Sequence, residues 1–129
     1  MASKATFIND VSGPFWDGTK QRKLMLQFDK ASGRAQFYPR PQSLYSEAGT
    51  EWRAASGRGT LLALTLSRVA PKALEHLLPY ALALVQLDEG PRLMARIDAP
   101  YESLRPGQKL VLAWDESPAA APIYIFRPA

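Results

Sequence analysis

The sequence has 129 residues, the length of one ordinary domain, and its 47% apolar and 22% charged residues give a globular composition. Sixteen Lys and Arg against 12 Asp and Glu leave a net charge of +4, which permits an anionic partner without demanding one. Cysteine is absent and His76 is the single histidine. Disulfides, thiolate metal sites, thiol nucleophiles and any site needing two imidazoles are therefore excluded. Eight Gly and 11 Pro favour short strands over long helices. No apolar run of membrane-spanning length and no leader pattern stands near Ala2–Thr6, so a cytoplasmic chain is expected.

In chain order, Pro14-Phe15-Trp16-Asp17-Gly18 predicts a short helix, with Pro14 suited to its first turn. Lys23–Phe28 and Ala35–Pro39 read as extended segments joined by the tight turn Asp29-Lys30-Ala31-Ser32-Gly33. In the first, Leu24, Leu26 and Phe28 alternate with Met25 and Gln27. The lead-in Glu51–Ser56 is counted with Thr60–Val69 as one strand, bent at Gly57 and Gly59. Pro71–Leu78 predicts a short helix or a structured loop. Tyr80–Leu87 is a second strand, Asp88-Glu89-Gly90-Pro91 a turn, and Arg92–Asp98 a third strand. Lys109–Trp114 follows the turn Arg105-Pro106-Gly107-Gln108, Ala119–Ala121 is a short connector, and Ile123–Phe126 closes the set. Five short strands in this half suit a small Greek-key barrel of the OB-fold type, with a five-stranded open sheet as the competitor. The expected division is residues 1–50 as a helical and hairpin unit and residues 51–129 as the barrel.

The N-terminal half has the frame of a rubredoxin-type zinc ribbon. Such a ribbon needs two knuckles, each offering two thiolates three residues apart on a tight turn. Asp29-x-x-Ser32-Gly33 has a knuckle's form, and Ser43-x-x-Ser46 follows ten residues after Ser32. The four ligand places of C-x2-C-x10-C-x2-C are thus held by Asp29, Ser32, Ser43 and Ser46. One carboxylate and three hydroxyls are a poor zinc set, so neither metal nor cofactor is expected.

Further residues carry a resemblance. They are Phe15-Trp16 and Gly18; Leu24-x-Leu26-Gln27; Gly33 with Phe37-x-Pro39-Arg40; Trp52; and Ser56-Gly57-Arg58-Gly59-Thr60. Pro79-Tyr80, Leu84-Val85-x-Leu87-Asp88-Glu89-Gly90-x-Arg92, Leu104 and Gly107 continue the series. In this order and spacing the chain resembles the zinc-ribbon-plus-OB-fold family associated with acyl-CoA enzymes, domain-of-unknown-function family thirty-five. It departs from the family at the four cysteines. The resemblance implies a mainly β fold: a short helix, a degenerate, metal-free ribbon and a five-stranded barrel. The hairpins would then stand on packing of Phe28, Phe37, Tyr38 and Trp52, or be ordered by a partner. It also implies a non-catalytic accessory subunit of a thiolase-superfamily enzyme.

The residues themselves suggest no enzyme. Asp88-Glu89 are neighbours in a turn and read as solvated, as do Asp115-Glu116 at a strand end. His76 reads as a surface or satisfied histidine. Gly57-Arg58-Gly59-Thr60 lacks the Walker spacing and reads as a strand bend. From Lys20 to Arg58 eight basic residues stand against three acids, interleaved with Phe37, Tyr38, Tyr45 and Trp52. That segment leaves open an independent OB-fold binder of single-stranded nucleic acid or acyl-CoA. The neutral balance of the barrel half disfavours nucleic acid. Phe7-Ile8, Phe15-Trp16 and Met25 offer more apolar area than a small ribbon buries, which points to a partner. The candidate interface is Phe15, Trp16, Arg22, Lys23, Arg40 and Arg58. Self-association stays open, and no membrane contact is expected.

Overall fold

The computed structural model describes residues 11–118 and 122–129. The expected connector Ala119–Ala121 and the apolar pair Phe7-Ile8 lie outside them. Helix α1 (Gly13–Lys20) is followed by strands β1 (Met25–Asp29), β2 (Ala35–Gln36) and β3 (Thr50–Ala54). The remaining strands are β4 (Arg58–Ser67), β5 (Tyr80–Leu87), β6 (Arg92–Ile97), β7 (Lys109–Asp115) and β8 (Ile123–Pro128). Pro14 lies in the first turn of α1, where its fixed φ and missing N–H cost nothing. The segment between β4 and β5 forms a 3-10 turn, Lys72–Leu77, with His76 exposed on it.

Two sheets result. β1 is the middle strand of a three-stranded antiparallel ribbon in the order β2-β1-β3. The other five strands close a barrel in the order β4-β5-β6-β8-β7, with the parallel β6–β8 seam closed by the pair Ile97↔Phe126. This is the OB-type closed barrel the pattern predicts, not an open sheet.

One boundary moves. The lead-in expected to start the first barrel strand is β3, which pairs with β1 from Met25↔Ala54 to Asp29↔Thr50. The ribbon therefore extends beyond residue 50 to Ala54, and the barrel begins at Arg58. The reason lies in the backbone between them. Gly57 has a φ of 86°, a left-handed conformation that breaks one strand into two. Gly59 is needed for another reason: a Cβ there would lie 2.8 Å from the Gln86 carbonyl oxygen and 2.8 Å from Val85 Cγ1. Only a bare Cα lets β4 approach β5 so closely. Gly57 thus serves the bend, as the sequence suggests, and Gly59 the close approach of the strands.

Inward side chains of the barrel follow strand alternation. Ala81, Ala83, Val85 and Leu87 of β5 point in, while Tyr80, Leu82, Leu84 and Gln86 are half-buried on the outside. Leu61, Leu93, Ile97, Leu110 and Phe126 complete a core that also takes in Phe15, Leu24, Leu26 and Phe28 from the N-terminal part. Ribbon and barrel share one apolar core. No helix among the described residues is long and apolar enough to cross a membrane.

Candidate functional site

Strand β1 has two buried faces of opposite character. Leu26 and Phe28 enter the core, while Gln27 and Asp29 point the other way and are buried too. Buried polar groups must be hydrogen-bonded or they destabilise the fold. Both are fully engaged by the loop that carries the second knuckle.

Asp29 Oδ2 accepts the Ser32 backbone N–H at 2.7 Å and the Ser32 hydroxyl at 2.8 Å. Its Oδ1 accepts the Ser46 hydroxyl at 2.5 Å, and the Ser43 hydroxyl stands near enough to help stabilise the charge. These groups, Ser46 foremost and then Ser43 and Ser32, hold the carboxyl well below the usual carboxylate range against the opposing effect of burial. The spacing 29, 32, 43 and 46 thus converges on one point, as a ribbon's ligands would. The chemistry there does not fit zinc. Three neutral hydroxyls are directed at one carboxylate, and among the described residues no three His, Cys, Asp or Glu side chains gather where a metal could sit.

A second polar node lies beside the first. Gln36 Nε2 donates to Gln27 Oε1 at 2.9 Å and to the Gln42 carbonyl at 3.1 Å, and Gln36 Oε1 accepts the Leu44 N–H at 2.9 Å. Gln27 Oε1 also accepts the Arg40 N–H, and Gln27 Nε2 donates to the Arg40 carbonyl, each at 2.8 Å. The sequence gives no sign of this. Periodicity places Gln27 on the polar face of its strand without revealing that a loop covers that face. The expected aromatic packing accounts for only part of the ribbon's order.

Of the candidate interface residues, four lie in α1 or just after it. Phe15 is buried, edge-on to Trp16 at 5.1 Å, and packs at 5.7 Å from Phe37 of the ribbon and 6.2 Å from Tyr124 of the barrel. Phe15 is therefore a core residue, so its part in any interface is to support Trp16, which remains 39% exposed. Burial, and after it the neighbouring Tyr38, push the Tyr124 phenol up to about 12, so it stays a neutral donor, bonded to the Met94 carbonyl. Arg22 and Lys23 follow α1 and are exposed. The Arg22 guanidinium bonds both carboxylate oxygens of Glu116, one at 2.8 Å, and the Lys20 carbonyl at 2.7 Å. Arg40 lies elsewhere, in the knuckle loop, its backbone held by Gln27 and its side chain exposed. Arg58 begins β4, and its guanidinium lies 3.6 Å from Asp88.

The acidic pairs are structural. Glu89 Oε2 accepts the Ser56 N–H at 2.6 Å and Asp88 N–H donates to the Arg58 carbonyl at 2.9 Å, so this turn braces the joint between ribbon and barrel. Asp115 forms a 2.8 Å ion pair with Arg96 that is largely shielded from solvent. Burial opposes its charge, but Ser117 and Arg96 outweigh that and lower its pKa. In each pair one member is exposed as the sequence suggests, Asp88 and Glu116, while the other, Glu89 or Asp115, is held by the fold. Of the aromatic groups of the basic segment, Tyr38 stays exposed while Tyr45 and the buried Phe28 are covered by arginines. Arg34 lies 3.9 Å over the Tyr45 ring and Arg53 4.0 Å over Phe28, contacts that occupy faces a nucleic-acid base would need.

A thiolate-free ribbon sharing its core with a closed five-stranded barrel defines the class: a ribbon-plus-OB-fold protein. Residues 52–115 match the profile of the ChsH2 C-terminal OB-fold domain. Over its whole length the chain is similar to a chain of a solved Ltp2-ChsH2(DUF35) aldolase, with 27% identity and a TM-score of 0.83 over 95% of this chain and 97% of that one. The likeness is thus to the DUF35/ChsH2-like OB-fold family, against which this chain's ribbon is degenerate. A DUF35-family protein from Sulfolobus solfataricus shares the fold at 12% identity and a TM-score of 0.65, over 99% of this chain and 92% of that one.

Among curated relatives, a DUF35 domain-containing scaffold protein of Pyrococcus furiosus is 35% identical over 80 residues, 57% of this chain. The alpha subunit of a 3-oxo-4,17-pregnadiene-20-carboxyl-CoA hydratase of Mycobacterium tuberculosis is 32% identical over 84 residues, 64% of this chain. The chain spans 59% and 26% of the lengths of these two relatives.

Proposed function

We propose that this chain is a non-catalytic accessory subunit that docks on a thiolase-superfamily enzyme and supports its acyl-CoA chemistry. The observation that carries this reading is the end-to-end likeness to a chain of the Ltp2-ChsH2(DUF35) aldolase, over 95% of the sequence. The names of the curated relatives, a scaffold protein and a subunit of an acyl-CoA hydratase, point the same way. The non-catalytic part of the reading is supported by the use of the acidic pairs: Glu89 braces Ser56 and Asp115 holds Arg96.

The docking face in this reading is the α1 end. Trp16 presents an exposed indole whose position is fixed by edge-on contact with the buried Phe15. A rigid aromatic group beside Arg22 and Lys23 has the make-up of an interface anchor with a cationic rim, suited to an acidic-rimmed apolar surface. Arg40 and Arg58 lie outside this end and serve at most as its margin.

Co-expression with a thiolase-like enzyme from the same genome, followed by size exclusion at micromolar concentration, tests the reading. A co-eluting complex whose enzyme is more active or more stable than the enzyme alone is the expected result. Separate elution with unchanged enzyme activity overturns it. Trp16→Ala is expected to weaken the complex about tenfold or more.

A further inference from the structure

We propose that the Asp29 carboxylate, gathered by Ser32, Ser43 and Ser46, is a metal-free replacement for the ribbon's zinc centre, the node that fixes the second knuckle on the first. In a zinc ribbon one cation draws in four anionic ligands. Here the polarity is inverted: one buried anion draws in neutral donors from three positions at ligand spacing.

The serines do more than fill space. Ser32 Oγ accepts the Arg34 N–H at 3.2 Å, Ser43 Oγ accepts the Tyr45 N–H at 3.0 Å, and Ser46 Oγ accepts the Ala48 N–H at 3.1 Å. Each hydroxyl thus takes the backbone N–H two residues ahead, and those of Ser32 and Ser46 donate their own O–H to Asp29. Only a group that donates and accepts can link the loop backbone to the carboxylate in this way. Alanine would do neither, and a thiol donates weakly. The hydroxyl-to-backbone turn occurs at all three serines, and at Ser32 and Ser46 it is held in shape and tied directly to the carboxylate at once. Lys30 N–H bonds the Gly49 carbonyl at 3.0 Å, which closes the far side of the second knuckle on β1.

The ribbon is thereby uncoupled from zinc supply and from thiol oxidation. A carboxylate that already accepts two hydroxyls and a backbone N–H would have to give up loop contacts to hold a cation. This inference stands on the ribbon alone and does not depend on the docking reading.

The full-length chain tests it. Metal analysis of the purified protein and thermal unfolding with EDTA, with one equivalent of zinc and after hydrogen peroxide treatment come first. No stoichiometric metal and an unmoved midpoint are expected; one metal per chain, or a midpoint lowered by chelator, overturns the proposal. Hydrogen exchange of residues 42–49 in Ser46→Ala and Asp29→Asn comes second. Exchange faster by about tenfold or more, with barrel amides still protected, supports the node. Ser46→Ala is the milder change and keeps the test valid if Asp29→Asn fails to fold. Unchanged exchange in Ser46→Ala overturns the proposal. Last, the variant carrying Asp29→Cys, Ser32→Cys, Ser43→Cys and Ser46→Cys is expected to take up one cobalt with tetrathiolate absorption. A folded four-cysteine protein that binds no cobalt shows that the positions do not form one centre.

Discussion

Gln27 and Gln36 are register partners across β1 and β2, joined side chain to side chain at 2.9 Å and both buried. Between them they bond the backbone at Arg40, Gln42 and Leu44. Together with the Asp29 node this pair orders a loop that has little regular structure of its own. The ribbon is held by polar contacts on one face of β1 and by the shared core on the other.

Replacing Gln27 with Leu should therefore destabilise the chain by about 2–4 kcal/mol, because the Arg40 N–H and the Gln36 amide lose acceptors in a buried place. Gln36→Leu should cost a similar amount. The double variant should cost less than the sum by at least about 1 kcal/mol, since the bond between the two amides is lost only once and neither amide is left behind without its partner. Urea unfolding of the four proteins measures this coupling. Strict additivity would mean that the two amides act independently.

The barrel was legible because its strands announce themselves. The inward residues of β5 alternate without interruption, and each barrel turn carries glycine or proline. The four converging positions were legible from spacing taken together with the family resemblance. What spacing could not supply was the polar interior of the ribbon, because Gln27 has the same place in the pattern whether solvent or a loop covers it. The split between β3 and β4 was hidden for a similar reason. A run of extended residues does not say which sheet it joins, and the left-handed Gly57 that decides this looks like any glycine in a strand. Arg22–Glu116 and Arg96–Asp115 join residues far apart in sequence, which no local signal reveals.

Acid should loosen the ribbon in a predictable range. The Asp29 carboxyl titrates below its unfolded value of about 3.9, so its contribution is complete above that pH and is lost as pH falls toward the folded value. Urea midpoints at pH 5, 4, 3 and 2 should fall most steeply below about pH 4. Asp29→Asn should be less stable at pH 5 and show a shallower decline. A decline as steep in Asp29→Asn as in the native chain would assign the acid sensitivity to other carboxyls, among them Asp115.

Phe15 and Trp16 are adjacent in α1 yet should respond in opposite ways. Phe15→Ala opens a cavity where α1, ribbon and barrel meet, at a cost of about 3–5 kcal/mol. Trp16→Ala removes a partly exposed ring and should cost less than about 2 kcal/mol while weakening the proposed complex. Thermal unfolding and a titration against the partner enzyme separate the two effects. A large loss of stability in Trp16→Ala with unchanged affinity would make the indole a packing group and move the docking face elsewhere.

Arg22 offers a test in which stability and binding should move in different directions. It stands just beyond the end of α1 with a φ of 57°, a conformation that glycine adopts far more readily. Around it, Lys23 N–H bonds the Gly18 carbonyl at 2.9 Å and Arg22 N–H bonds the Thr19 carbonyl at 3.1 Å, the paired closure of a helix end in which glycine is usual. Arginine at this place strains the backbone, and its exposed ion pair with Glu116 returns little stability. Arg22→Gly should therefore unfold at the native temperature or up to about 3 °C above it. If the guanidinium forms the cationic rim of the docking face, the same variant should bind the partner enzyme more weakly, and the native association rate should fall with salt. Glu116→Gln provides the control, since it removes the internal partner and leaves the guanidinium in place; its affinity should equal or exceed the native value. A lowered unfolding temperature in Arg22→Gly would show that the Glu116 pair outweighs the backbone strain. Unchanged affinity would take Arg22 out of the interface.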